Sequence, residues 1–267
     1  YTSLLTKEEY GAVGVVLAVA NLLTILGMMS QSHALLRLGT DAEGDTEKLR
    51  VLLSTQLTWV VAATAGLTVL AAVGWPWILP LVGGLSLWPL GVAGLATVVG
   101  SAVFQMVLSW LQFSRQARAH TTLSVARWLV LMAVALALLL GAHWKAEAIL
   151  TATAVSFAVG SWQGWRMLPA GVRLGVLDRT VLRESLAYGL PILPHGLASV
   201  IFLATDRTLL AAYHGLGAVG IYELAAKLAS VVFMIAMGMQ KAWLPFFFRE
   251  DQDAAAYLDG VLGQSAR

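Results

Sequence analysis

Residues 216–227 read LGAVGIYELAAK and residues 10–21 read YGAVGVVLAVAN, so the tetrad Gly-Ala-Val-Gly occurs at 11–14 and again at 217–220, 206 positions later. In a chain of mostly apolar helices that separation corresponds to about six membrane crossings. An even number of crossings returns the chain to its starting side. The echo therefore predicts two similar halves in parallel orientation, with most of the first half and only the beginning of the second present. It carries weight only if topology, worked out from other residues, puts both copies at equivalent places.

Composition sets the class. The chain is 58% hydrophobic and 12% charged with a mean hydropathy of +0.76, whereas soluble domains carry about 25% charged residues. Its apolar runs are long enough to be helices crossing roughly 30 Å of hydrocarbon, and barrel strands would alternate over about 10 residues instead. The expected fold class is all-α: a polytopic helical membrane protein with seven spans, read as part of a two-lobed transporter of 12 to 14 helices. The absence of cysteine excludes disulfides, thiolate metal sites and Cys nucleophiles. The chain begins Tyr-Thr-Ser with neither Met nor a basic leader, and is read as a fragment.

Apolar stretches run over 11–36, 52–74, 86–112, 121–142, 146–166, 186–213 and 218–243. The region 75–112 is too long for one crossing and too short for two, and Trp75, Pro76, Trp77 and Pro80 mark an interfacial loop ahead of a single helix. Charge tests that choice. With one helix there, twelve Lys and Arg residues from Arg37 to Arg267 collect on one face and only Lys7 and Lys145 on the other. That bias makes the first face cytoplasmic, while two helices would scatter the arginines over both sides. Both tetrads then follow an external turn and open an inward-running helix. The first lobe is expected over 1–184, lacking its first helix, and the second begins over 185–267.

Outside the membrane little remains for chemistry. The largest interhelical cytoplasmic segment, about 166–185, is too short for a catalytic domain. Walker, His-Glu-x-x-His and Gly-x-Ser-x-Gly patterns are absent, and the five histidines form no i, i+4 pair. No cofactor, metal, nucleic acid or catalytic residue is expected.

The informative residues are charges inside the apolar runs, which are costly in hydrocarbon and usually face a cavity or one another. Asp206, Arg207, Glu223 and Lys227 lie roughly 7 to 14 Å inward from the external turn near His214, on two consecutive helices, and Glu223 and Lys227 are spaced i, i+4. Two readings stand: a self-satisfied network pinning the hairpin, or a cavity lining or gate whose ion pairs exchange. Pro191 and Pro194 free helix carbonyls and mark a hinge or a kinked packing helix. Arg37 and Arg127 either snorkel to phospholipid heads or meet an anionic substrate.

Several stretches, in order, resemble one family: Leu4 to Gly11, Tyr188-Gly189-Leu190-Pro191 with Pro194, Asp206-Arg207, Gly217 to Tyr222 with Ala226-Lys227-Leu228, and Ala242 to Phe246. Together they are similar to the polysaccharide biosynthesis, or O-antigen flippase, family of the multidrug/oligosaccharidyl-lipid/polysaccharide exporter superfamily. Lys7 stands where that family often has Pro. The resemblance implies two six-helix lobes around a cavity that opens alternately to either side of a bacterial inner membrane. The implied cargo is an undecaprenyl-diphosphate-linked oligosaccharide, moved from the inner to the outer leaflet with the bilayer and, where one is used, a coupling ion as further partners. Arg207, Lys227, Arg37 and Arg127 would offset the diphosphate charge, with Asp206 and Glu223 as exchangeable partners. The alternatives are a multidrug or lipid II exporter of the same superfamily, a membrane glycan polymerase or ligase, and a non-transporting scaffold.

Overall fold

The computed structural model describes residues 6–78, 85–141 and 144–265, and side chains only up to residue 232 and not at 199–200 or 202–204. Leu4, Leu5, Pro80, His143 and Arg267 lie outside the described residues. Every regular element among the described residues is helical: α1 Lys7–Met28, α2 Gln31–Asp41, α3 Thr46–Val73, the single turn α4 Trp75–Ile78, α5 Val92–Phe113, α6 Ala117–Gly141, α7 Ala146–Trp165 and α8 Arg179–Ser265. The protein is thus an all-helical, multi-pass membrane protein.

Local chemistry sets the helix ends. Thr6 and Glu9 form a reciprocal capping box: Thr6 N–H donates to Glu9 Oε2 at 2.9 Å, and Glu9 N–H donates to Thr6 Oγ1 at 3.2 Å. Asp45 caps α3 by accepting from the backbone N–H groups of Glu47 and Lys48, both at 3.1 Å. Backbone donation by Lys48 is the first cause holding the Asp45 carboxyl below its ordinary range. Between α4 and α5 a π-helical turn, Leu87–Gly91, leads into one membrane helix, as the arginine distribution requires.

Five stretches are long and apolar enough to cross a bilayer: Lys7–Asp41, Thr46–Val73, Leu87–Phe113, Ala117–Gly141 and Thr205–Val232. The first four match expected spans. The last straddles Gly215, which at φ 77° and ψ 173° is the residue where α8 leaves helical geometry, so it joins the end of one expected span to the start of the next. The expected span 146–166 forms the 20-residue α7, which carries Thr, Ser, Gln and Gly along its length and is not among these five. α7 packs instead through small residues: Gly160 lies against Phe104, and Gly164 against Val107 of α5.

The main core joins Leu35 of α2, Leu53, Leu57 and Val60 of α3, and Met106, Val107 and Leu111 of α5. A buried polar contact, Thr24 Oγ1 to Ser101 Oγ at 3.0 Å, ties α1 to α5. On α6, Val125, Leu129, Met132, Leu136 and Leu140 are exposed at helical spacing, the pattern of a helix presenting one face to lipid.

The chain forms two compact units, residues 1–221 and 222–267. Within the first, the two tetrads meet. Gly11 lies on the Leu216 carbonyl, where a Cβ would sit 2.9 Å from Leu216 C and 3.1 Å from Gly220 N; Gly220 in turn lies on the Lys7 carbonyl. Val15, Leu95, Ala211 and Val219 close an apolar cluster there with Trp75.

Candidate functional site

The apolar run 11–36 reads straight through, yet the helix breaks inside it. Met29 and Ser30 adopt φ of 44° and 57°, left-handed conformations that cost on the order of 1–3 kcal/mol each for such residues and concentrate at functional positions. Gly189 of α8 sits directly on the Met29 carbonyl, so a side chain there would meet backbone. Just past the break, Gln31 is 0% exposed and neither polar atom of its amide has a hydrogen-bond partner. An unpaired buried amide is costly. This junction of the α1–α2 break with Gly189, two residues before Pro191, carries no motif; a left-handed Met-Ser pair is invisible to composition and to periodicity.

The expected hinge prolines behave differently from a break. Helical dihedrals continue through Pro191 and Pro194, and among the described residues of α8 only Gly215 departs from them. The prolines withdraw backbone donors without turning the chain.

Asp206 and Arg207 belong to the first unit and are partly buried; Glu223, 6% exposed, and Lys227, exposed, open the second. All four are engaged in polar or electrostatic interactions. The two other expected cations have different surroundings. Arg37 forms an i, i+4 ion pair with Asp41 at the solvent-exposed end of α2. Arg127 lies half-buried between α5, α6 and α7, its guanidinium carbon 4.5 Å from the Phe157 ring centroid, 4.7 Å from Trp128 and 5.5 Å from Phe104. A long contact of 3.5 Å reaches Ser156 Oγ, and among the described residues no carboxylate pairs with it. Counted from the ends of the three helices that share its side, this box lies about 12–15 Å along them, within their apolar runs. Such a cation is held by ring faces, with guanidinium N–H groups left to meet an anion.

Two further constraints escape the sequence. On the outer side Lys145, at the start of α7, bridges to Glu9 of α1 at 2.9 Å, and that hydrogen bond is the first cause raising the Lys145 amine above its ordinary value of 10.5. On the inner side three hydroxyls of α3 accept from the loop joining α7 to α8: Ser54 from Arg173 N–H at 3.1 Å, Thr55 from Asp178 N–H at 3.1 Å and Thr58 from Gly175 N–H at 3.0 Å. A cluster of Ser and Thr in the first turns of a membrane helix was the available signal. Among the described residues no group of His, Cys, Asp or Glu is arranged to hold a metal ion.

In comparisons with known proteins, the family model described as "Polysaccharide biosynthesis protein" matches residues 1–250. No curated protein and no solved structure matches.

Proposed function

The chain belongs to the polysaccharide biosynthesis protein family, and from that membership we propose that it is a flippase carrying an undecaprenyl-diphosphate-linked oligosaccharide from the inner to the outer leaflet of a bacterial inner membrane by alternating access. The observation that carries the reading is the family match along almost all of a chain built of membrane-length helices. The physical task is to shield a polar glycan and a diphosphate from hydrocarbon while the lipid tail stays in the bilayer. Transport then rests on cations in a wet cavity and on helices that move against each other.

In this reading Arg207 and Lys227 contact the anionic head group or hold a gate, and Asp206 and Glu223 are the partners they exchange. Arg127 offers the diphosphate a cation whose ring contacts need not be broken. Arg37 must first leave Asp41. Gly189, Pro191 and Pro194 supply the hinge against the α1–α2 break.

The test is flipping of a fluorescent lipid-linked oligosaccharide by the protein reconstituted in vesicles. The unmodified protein should bring labelled lipid to both leaflets. The double replacement Arg207→Gln and Lys227→Gln should slow this by about tenfold or more, since a hydrogen bond to a charged group contributes about 1.5–3 kcal/mol. No flipping by the unmodified protein overturns the reading. An undiminished rate in the double variant overturns the role of the charge pair.

A further inference from the structure

The loop from Arg166 to Asp178 joins α7 to α8 on the cytoplasmic side. In the structure it is laid against α3 rather than hung free. Arg50 Nε donates to the Ala170 carbonyl at 3.1 Å, after which the N–H groups of Arg173, Gly175 and Asp178 donate in turn to Ser54, Thr58 and Thr55. The order of acceptors gives the path: up α3 to Thr58, then back to Thr55. Gly175, at φ 87°, is the apex, where a positive φ favours glycine.

The apex has a depth. The apolar run of α3 begins at residue 52, beyond Arg50, and α3 ends at Val73 on the outer side. Counting back from Val73 the roughly 20 residues that span 30 Å of hydrocarbon leads to Leu53. By both counts Thr58 is about 7–9 Å inside the inner boundary. The residues around the apex fit that level: Leu174, Val176 and Leu177 are exposed, Leu174 by 50%, yet all are aliphatic. Arg173 and Arg179 flank them, and Arg50, Arg173 and Glu47 line a cavity of about 310 Å³ whose wall Val176 completes on the side of the apex. Aliphatic side chains below and guanidinium groups at the rim match acyl chains below anionic head groups.

We propose that residues 172–177 form a re-entrant loop inserted in the inner leaflet, with Leu174, Val176 and Leu177 in contact with acyl chains and the hydroxyls of Ser54, Thr55 and Thr58 satisfying its backbone. Non-helical backbone survives at membrane depth only where its polar groups find partners in the protein. The α3 hydroxyls supply such partners, and a loop lying wholly in water would not need them. The segment joining the helices is then an anchor of the first unit in the membrane, held at fixed depth on α3.

Because the chain contains no cysteine, single spin labels report the insertion directly. The protein carrying Val176→Cys, in vesicles of phosphatidylethanolamine and phosphatidylglycerol, is compared with Leu136→Cys on the lipid face of α6 and Glu43→Cys in the exposed turn before α3. Collision rates with oxygen and with a water-soluble nickel chelate should place the Val176 label about 5–10 Å below the phosphates, close to Leu136 and unlike Glu43. Thr58→Val should raise nickel accessibility at Val176, and Thr58→Ser should keep the unmodified value. Access to nickel as high as at Glu43 overturns the proposal, as does shielding from both reagents, which would mean protein covers the loop. An unchanged depth in Thr58→Val overturns the role of the hydroxyls.

Discussion

Adding one methyl at Gly11 pits two opposing effects against each other. In a helix Ala is favoured over Gly by about 1 kcal/mol. At Gly11, however, the new Cβ would press on the Leu216 carbonyl and lie 2.9 Å from Leu216 C and 3.1 Å from Gly220 N. All are backbone atoms, which cannot yield by changing rotamer, so the helices must move apart. Overpacking costs about 1–3 kcal/mol, and a rigid neighbour puts the site in the upper half of that range. The balance is a destabilisation of about 1–2 kcal/mol, or roughly five- to thirtyfold in the folded-to-unfolded ratio. Gly66, exposed on α3 with nothing within 4 Å of the place a methyl would occupy, isolates the favourable part: Gly66→Ala should gain up to about 1 kcal/mol. Unfolding in mixed micelles, followed by circular dichroism, measures both. A Gly11→Ala protein as stable as the unmodified chain, beside a stabilised Gly66→Ala, would refute the close crossing of the two tetrads.

Two other outcomes are expected. The Glu9–Lys145 bridge should contribute stability throughout neutral pH: the Lys145 amine titrates above 10.5, so its contribution is complete below that value and fades as pH rises through the higher folded-state value. Lys145→Met should therefore lose the same small increment at pH 6 and pH 9, and the difference should close only in strong alkali; a gap that changes between those two pH values counts against the bridge. Arg127→Met should leave thermal stability within about 2 kcal/mol, the scale of a desolvated cation–π contact, while flipping falls sharply. Flipping at the unmodified rate would reduce Arg127 to a packing role.

Much of the fold was legible because hydrocarbon imposes length. The expected stretch 121–142 is α6, Ala117–Gly141, and 146–166 is α7, Ala146–Trp165. The turn expected near His214 is the break at Gly215. Arginine counting resolved 75–112 as one crossing, since charge placement is a property of the chain, independent of packing. The site was less legible. Nothing in Met28-Met29-Ser30-Gln31 announces a break, and the residue that packs on the left-handed pair, Gly189 of α8, is 160 residues away in sequence (189 against 29). The partners of Arg127 come from three helices, and no local pattern forecasts which aromatic faces will surround a cation. The hydroxyls of α3 were visible as residues but not as acceptors, since the donors come from a loop more than a hundred positions later, at Arg173, Gly175 and Asp178.

Where Gly11 and Gly220 meet their neighbours, no side chain has rotamers to lose. Ordering a leucine at such a contact costs about 0.5–1 kcal/mol in entropy; a glycine contributes none, and close backbone approach brings dispersion and weak Cα–H···O attraction instead. At this point the helices meet through backbone alone, while Val15, Leu95, Ala211 and Val219 beside it form the apolar cluster that any separation would expose. The spacing at that crossing is set by backbone distance, which makes it a joint that a single methyl can spoil.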